Sequence, residues 1–475
     1  MIKLRSFSGK TIAVMGLGRS GLATAHSLLQ GGADVRAWDD NKARRNDAAH
    51  DGLATTDISN TTWSEIDSLV LSPGIPHTHP TPHPVAAQAR AAGVEIIGDI
   101  ELLAREQTNA QFIGITGTNG KSTTTALIGH ILETAGEPAQ VGGNLGRPAL
   151  DLDPQDVPGT KGSRYVLEMS SFQLDLTPTL TFHIALLLNL SPDHIDRHGD
   201  FAGYISAKKR IFEGMVSGGT AIVGIDDPDT LAAYDELRAQ GGPRIIPISV
   251  MKVASGGVYI EDDVLYDDME GAAESILSLN DIETLPGRHN AQNAAAAYAA
   301  ARALGLPLKP IIEGLQTYPG LPHRQQIVAT IKGVRYVNDS KATNPDATAN
   351  ALASYDEIYW IAGGLGKDGS LDQILPYLPH IKHAFLIGAA AGDIRAVIAD
   401  AVPVDMSGEL EPAVLAAHAM AQKSQRGKPV VLLSPACASY DQFPNFEVRG
   451  ETFAAIVATL NNQGLAHKYA AEARV

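Results

Sequence analysis

Gly117-Thr118-Asn119-Gly120-Lys121-Ser122-Thr123-Thr124 follows the apolar run 112–115 and opens an apparent helix that reaches residue 133. A strand, a glycine turn and a helix N-terminus present backbone N–H groups to phosphate oxygens, while a lysine adds charge and a serine hydroxyl can reach Mg²⁺. That combination predicts an ATP site formed by 117–124. The spacing is the short G-x-x-G-K-S form, because Ile115 stands where the longer phosphate loop has its first glycine. Glu168 closes the apolar stretch 165–167, and a carboxylate at a strand exit beside a phosphate loop is placed to hold the same Mg²⁺. The segment 189–198 gathers Asp193, His194, Asp196, Arg197 and His198 after another apolar run. It lacks the paired cysteines and regular spacing of a zinc site, so an oxygen-liganded Mg²⁺ helped by His194 fits it better than zinc. Its other reading is a histidine that caps a turn.

Gly16-Leu17-Gly18-Arg19-Ser20-Gly21 is a second phosphate-binding candidate, with Asp39 and Asp40 about twenty residues further on. The pattern admits any nucleotide diphosphate, so an NAD-dependent oxidoreductase stays open on this fingerprint alone. Ser72-Pro73-Gly74-Ile75 either completes that pocket or is a plain loop. Lys208 and Lys209 lie on an expected helix, 204–213, whose bland reading is a solvated basic face. Arg324 follows the break Pro319-Gly320-Leu321-Pro322, where it could close over a γ-phosphate. Two polar turns after strands, 338–345 and 363–367, add ligand loops of the kind found at the carboxyl ends of open sheets. Cys437 has apolar neighbours and no partner base, and reads as a packed thiol.

The elements that must position these groups alternate. Strands are expected at 11–15, 35–38, 68–71 and 94–97, then at 112–115, 165–167, 184–190 and 220–225, then at 335–338, 358–362, 384–387 and 430–433. Helices are expected at 21–30, 99–106, 290–304 and 452–460. This is an α/β chain of mostly parallel, doubly wound sheets. At 475 residues it exceeds one ordinary core, and the breaks near 110 and 319 divide it into 1–110, 111–319 and 320–475. The expected fold is a Rossmann-like nucleotide-binding domain, a central P-loop ATPase-type domain and a C-terminal Rossmann-like domain. A net charge of −16 argues against nucleic acid. One cysteine, no apolar stretch near the roughly 18 residues of a membrane span, and no signal-like start fit a cytoplasmic protein without a membrane anchor.

Taken together, these segments resemble the Mur ligases of bacterial cell-wall synthesis, from the Gly16 loop to Phe443-Pro444-Asn445-Phe446-Glu447. Folylpolyglutamate synthases share the Gly-Thr-Asn-Gly-Lys segment but usually carry a glycine between lysine and serine. The L-alanine-adding branch usually has histidine where this chain has Asn119. Asp339-Ser340-Lys341-Ala342-Thr343-Asn344 and Ser434-Pro435-Ala436-Cys437-Ala438-Ser439 are similar to the D-glutamate-adding branch. The resemblance implies an ATP-dependent, ADP-forming ligase of peptidoglycan synthesis, a monomer taking UDP-N-acetylmuramoyl-L-alanine and D-glutamate. It implies that Gly18, Arg19, Ser20, Asp39, Ser72, Gly74 and Asn144 take the UDP-linked substrate. Asn290, Arg324 and Asp339 would join the phosphate loop around ATP. Lys341, Thr343, Lys367, Ser439 and Phe446 would surround the amino acid. Ser122, Glu168 and a carbamylated Lys208 would hold Mg²⁺, and Lys121, Glu168, His194, Lys208 and Arg324 would act in catalysis. Tyr440 departs from the leucine familiar at that position.

Overall fold

A computed structural model describes residues 1–137, 139–154, 164–366, 371–424 and 427–472, with side chains to residue 460. Its strands form three sheets. The first has β1 (Thr11–Met15), β2 (Asp34–Trp38), β3 (Ser68–Leu71) and β4 (Glu95–Ile97) in the order β2-β1-β3-β4, all parallel. Ile12, Ala13 and Val14 are fully buried, as a central strand covered on both faces requires.

The second sheet contains β5 (Gln111–Thr116), β6 (Gln140–Gly143), β7 (Arg164–Glu168), β8 (Ile184–Leu187), β9 (Thr220–Gly224) and β10 (Arg244–Ser249). β11 (Val258–Glu261), β12 (Val264–Asp267) and β13 (Glu274–Ser278) extend it in the order β13-β12-β11-β10-β9-β8-β5-β7-β6. β5 lies between β7 and β8, so the chain leaves it to one side and later returns to the other. Their carboxyl ends therefore meet at a topological switch point, where open sheets bind ligands. Only the β11-β12 and β12-β13 pairs are antiparallel.

The third sheet, β14-β15-β19-β16-β17-β18, comprises β14 (Gln326–Ile331), β15 (Val334–Asn338), β16 (Ile358–Gly363), β17 (Ile381–Ile387), β18 (Val404–Gly408) and β19 (Val430–Leu433). It is parallel apart from the β14-β15 hairpin. By its contacts the chain forms two compact units, Met1–Asp281 with Asn290–Thr317, and Ile282–His289 with Tyr318–Val475. The first unit holds two sheets and the second holds one.

Among the described residues no helix is long and apolar enough to cross a membrane. Gly114, in β5, pairs with Leu167 and Ala185 on either side, and a Cβ there would lie 2.4 Å from the Phe182 ring. Gly114→Val is expected to lower stability by about 1–3 kcal/mol through overpacking, read as a fall in the urea midpoint of the unit that contains it.

Candidate functional site

The loop between β5 and the helix Lys121–Thr134 is built around two glycines with φ of 148° at Gly117 and 84° at Gly120. Around it the chain supplies fixed partners. Thr118 Oγ1 lies 3.1 Å from Tyr204 Oη and accepts from Ser191 N at 3.0 Å. Asn119 N donates to Asn189 Oδ1 at 2.8 Å, and Asn189 Nδ2 donates to Gln292 Oε1 at 2.9 Å. Thr124 Oγ1 donates to Asn293 Oδ1 at 3.1 Å, and Asn293 Nδ2 donates to Asn290 Oδ1 at 3.1 Å. Asn290 thus reaches the loop through Asn293. Lys121 Nζ donates to Gly117 O at 2.9 Å and Thr118 O at 2.7 Å, which holds its charge over the turn. Ser122 and Thr123 are buried in the first helical turn.

Lys208 is not on a solvated basic face. It is 2% exposed on the helix Phe201–Lys209, packs over the Tyr204 ring and donates from Nζ to Gly117 O at 2.8 Å. Burial pushes its ammonium well below the usual lysine range, and Lys121 adds repulsion. Lys209, next in sequence, is exposed enough to pair with Glu236. Glu168, at the end of β7, is 3% exposed. Its Oε1 accepts from Asn144 Nδ2 at 2.8 Å, while Oε2 is buried with no hydrogen-bond partner. An acceptor left so beside a phosphate loop suits an oxygen-liganded cation such as Mg²⁺, and Lys208 lies close enough to feel its charge. Among the described residues no group of three or more His, Cys, Asp or Glu side chains could hold a metal.

The switch point of the first sheet joins its own candidates. Asp39 Oδ2 accepts from Leu17 N at 2.7 Å, and Ser72 Oγ donates to Gly16 O at 3.0 Å. Gly21 packs so closely that a Cβ there would fall 1.7 Å from Gly16 O. Ser20 O accepts from Thr24 Oγ1 in the helix Arg19–Gly31, and Gly18 has open space at its Cβ position. Arg19 reaches Gly146 O at 2.6 Å, two residues past Asn144. Ser72 and Gly74 form a structured turn, Ile75 N donating to Ser72 O at 2.9 Å. His194 is 55% exposed in a left-handed turn (φ 50°), 3.6 Å from Asp193 and tilted over Phe172.

In the second unit the candidates gather after β15, β19 and β16, which are neighbours. Asp339 is 4% exposed, accepting from Ser434 Oγ at 2.7 Å and Gln325 N at 3.1 Å. Burial raises its pKa to about 7 against the opposing pull of Ser434 and Arg324. Arg324 has a buried Nε without a hydrogen-bond partner, between His323 and Gln325, both at positive φ. Lys341 Nζ stands 5.8 Å from the Phe446 ring centroid, and Ser439 is buried. Thr343 N donates to Lys341 O at 2.9 Å. Lys367 lies outside the described residues. Tyr440 is 70% exposed and Cys437 is buried.

Asn189, Gln292, Asn293 and Arg449 escaped the sequence reading. Asn290, Gln292 and Asn293 crowd the start of an alanine-rich helix, Arg288–Ala303, and buried polar groups in so apolar a helix were a usable signal. Arg449 is 1% exposed and holds Ser340 O and Cys437 O at 2.9 and 3.2 Å. Nothing local marks it.

Three family models match the chain: the MurD-like N-terminal domain of Mur ligases over 10–98, the Mur ligase middle domain over 115–301, and the Mur ligase glutamate ligase domain over 323–437. The chain is 50% identical to the UDP-N-acetylmuramoylalanine–D-glutamate ligase of Rhizobium meliloti, across 97% of this chain and 98% of that one. It is 49% identical to the enzyme of that name from a Caulobacter species, across 96% and 98%. Among solved structures, UDP-N-acetylmuramate-alanine ligase from Thermotoga maritima superposes with a TM-score of 0.59 at 17% identity, covering 95% of this chain and 99% of that chain. That likeness speaks for the fold.

A Cβ on Gly120 would meet Asn293 Oδ1 at 2.2 Å, at a backbone conformation that disfavours side chains. Gly120→Ala is expected to weaken ATP binding by about 5- to 150-fold, from roughly 1–3 kcal/mol of strain at that turn, as measured by titration calorimetry. Asp339 titrates at about 7 in the folded chain, above the roughly 3.9 of an unfolded aspartate. Its stabilising contribution is therefore fully present below about pH 4 and lost as pH rises through about 7. Urea midpoints from pH 4 to 8 should fall for the native chain relative to Asp339→Asn, which carries no such titration.

Proposed function

The chain belongs to the Mur ligase family, and on that premise we propose that it joins D-glutamate to UDP-N-acetylmuramoyl-L-alanine, forming ADP and phosphate. Near-full-length identity of about half to ligases of that name supports the reading. So does the gathering of Lys121, Lys208 and the half-satisfied Glu168 at the carboxyl ends of β5 and β7. No matched relative supports hydride transfer, and the Gly16 loop is assigned to the uridine diphosphate of the substrate, with Ser72, Gly74 and Asn144.

The alanyl carboxylate attacks the γ-phosphorus of ATP, and the bond to the β,γ-bridging oxygen breaks to release ADP. The deprotonated amine of D-glutamate then attacks the acyl phosphate, and the tetrahedral intermediate expels phosphate. Lys121, the loop N–H groups and Arg324 stabilise charge on the transferring phosphoryl group. Ser122, Glu168 and carbamylated Lys208 would hold Mg²⁺, which neutralises phosphate oxygens when bound. A neutral, buried Lys208 amine is the form that adds CO₂, giving N–CO₂⁻ and releasing a proton. His194 orients the acyl end, Asn290 and Asp339 bind ATP, and Lys341, Thr343, Lys367, Ser439 and Phe446 receive D-glutamate, lysine and hydroxyls being apt for its carboxylates. The same reading sets domain limits at 1–110, 111–319 and 320–475, and a monomer in the cytoplasm.

Phosphate release from ATP should require both UDP-N-acetylmuramoyl-L-alanine and D-glutamate, with L-glutamate and L-alanine tested in parallel. Release that no amino acid stimulates would overturn the reading. Under ¹³CO₂ a carbamate carbon signal is expected from the native protein and none from Lys208→Arg; its absence from both would remove Lys208 from the metal set.

A further inference from the structure

Arg197 has no part in the chemistry above, yet it is held as tightly as the residues that do. Its Nη1 donates to Gly74 O at 3.0 Å and its Nη2 to Pro73 O at 3.3 Å. Its guanidinium carbon stands 4.4 Å from the centroid of the Phe172 ring, and Nε is buried without a hydrogen-bond partner. Phe172 lies four residues beyond Glu168, on the short helix Ser171–Leu174, and stacks on His198 at 5.4 Å. His198 bonds Ser171 Oγ at 2.9 Å and faces Asp175 at 3.6 Å, while His77 approaches the same carboxylate at 3.8 Å. The turn Arg197 grips is the one whose Ser72 Oγ bonds Gly16 O at 3.0 Å.

A chain of contacts thus runs from the Gly16 loop through Ser72 and Gly74 to Arg197, then to Phe172 and the segment that begins at Glu168. A planar cation with a bidentate grip on two carbonyls and a face on an aromatic ring fixes orientation as well as distance. We propose that Arg197 is a positioning residue for the UDP-linked substrate, tying the Ser72–Gly74 turn to Phe172 and so setting where the substrate's acyl end falls relative to Lys121 and Glu168. The inference rests on the function proposed above. A ligand that occupies only the first sheet's switch point should sense Arg197 far less than one that reaches from there to the phosphate loop.

The test compares binding of UDP and of UDP-N-acetylmuramoyl-L-alanine to the native protein, Arg197→Ala and Arg197→Lys by titration calorimetry, with KM values for both substrates. A turn no longer held against Phe172 is less preorganised for the substrate, which predicts about 10- to 100-fold weaker binding of the full substrate to Arg197→Ala. UDP affinity and the KM for ATP should stay within about threefold. Arg197→Lys should resemble the alanine variant, because an ammonium cannot reproduce the fork. Equal weakening of UDP would show that Arg197 only builds the turn, and unchanged binding of both ligands would show that it does nothing for the substrate; either result overturns the proposal. If Arg197→Ala does not fold, Phe172→Leu keeps the carbonyl bonds, removes the ring and should give the same selectivity at smaller size. Failure of the native protein to bind UDP-N-acetylmuramoyl-L-alanine would sink the functional reading and this inference with it, an outcome separable from a native protein that binds and a variant that binds equally well.

Discussion

The Gly117 carbonyl accepts from two lysines, Lys121 Nζ at 2.9 Å and Lys208 Nζ at 2.8 Å, and much of the site follows from that pairing. Two ammonium groups so close, one of them 2% exposed, repel with little water to screen them. Burial and the Lys121 charge both push Lys208 toward its neutral form. The turn thus places two lysine amines on one carbonyl and disfavours the charge on the buried one. The turn is held at Thr118 and Asn119 by the segment after β8, through Ser191 and Asn189, and at Thr124 by the helix Arg288–Ala303, through Asn293. Four neutral side chains, Thr118, Asn189, Thr124 and Asn293, hold the turn that carries Lys121.

The strand at 11–15, the strand at 68–71 and the helix at 99–106 match their sequence limits because each is an uninterrupted run that starts directly after glycine or a charged residue. The phosphate loop was legible for the same reason, since its chemistry is contiguous. What escaped is of two kinds. The hairpin strands β11, β12 and β13, which run out to one edge of the sheet, are short and half-polar, and their identity comes from their partners more than from their residues. The apolar run 184–190 ends as a strand at Leu187, because Leu188 N turns to Thr116 O and Asn189 bends to the loop. The second kind is the polar support. Asn293 lies 169 residues from Thr124, and Arg449 lies 109 from Ser340, separations no local pattern reports. Lys208 shows the boundary between the two kinds. Its position on a helix was readable, but its burial depends on which face that helix turns toward β5, and Lys209 beside it went to the surface.

Glu168 shows why the first sheet belongs to the chemistry and is more than a handle for the nucleotide. Its Oε1 is held by Asn144, on the loop whose Gly146 carbonyl accepts from Arg19, the residue that opens the helix after the Gly16 turn. Its Oε2 is left without a partner. A carboxylate fixed at one oxygen by a neutral amide is oriented without being neutralised, so its second oxygen keeps its attraction for a cation. Had an arginine taken the place of Asn144, the same orientation would have come with a counter-ion, and the carboxylate would have had little attraction left for a divalent cation. The choice of an amide at 144 thus meets two demands at once: it ties Glu168 to the loop that Arg19 grips, and it leaves the charge uncompensated. Arg19 and Gly146, 127 positions apart, meet to hold the loop that carries Asn144, and through it the carboxylate whose Oε2 has no hydrogen-bond partner.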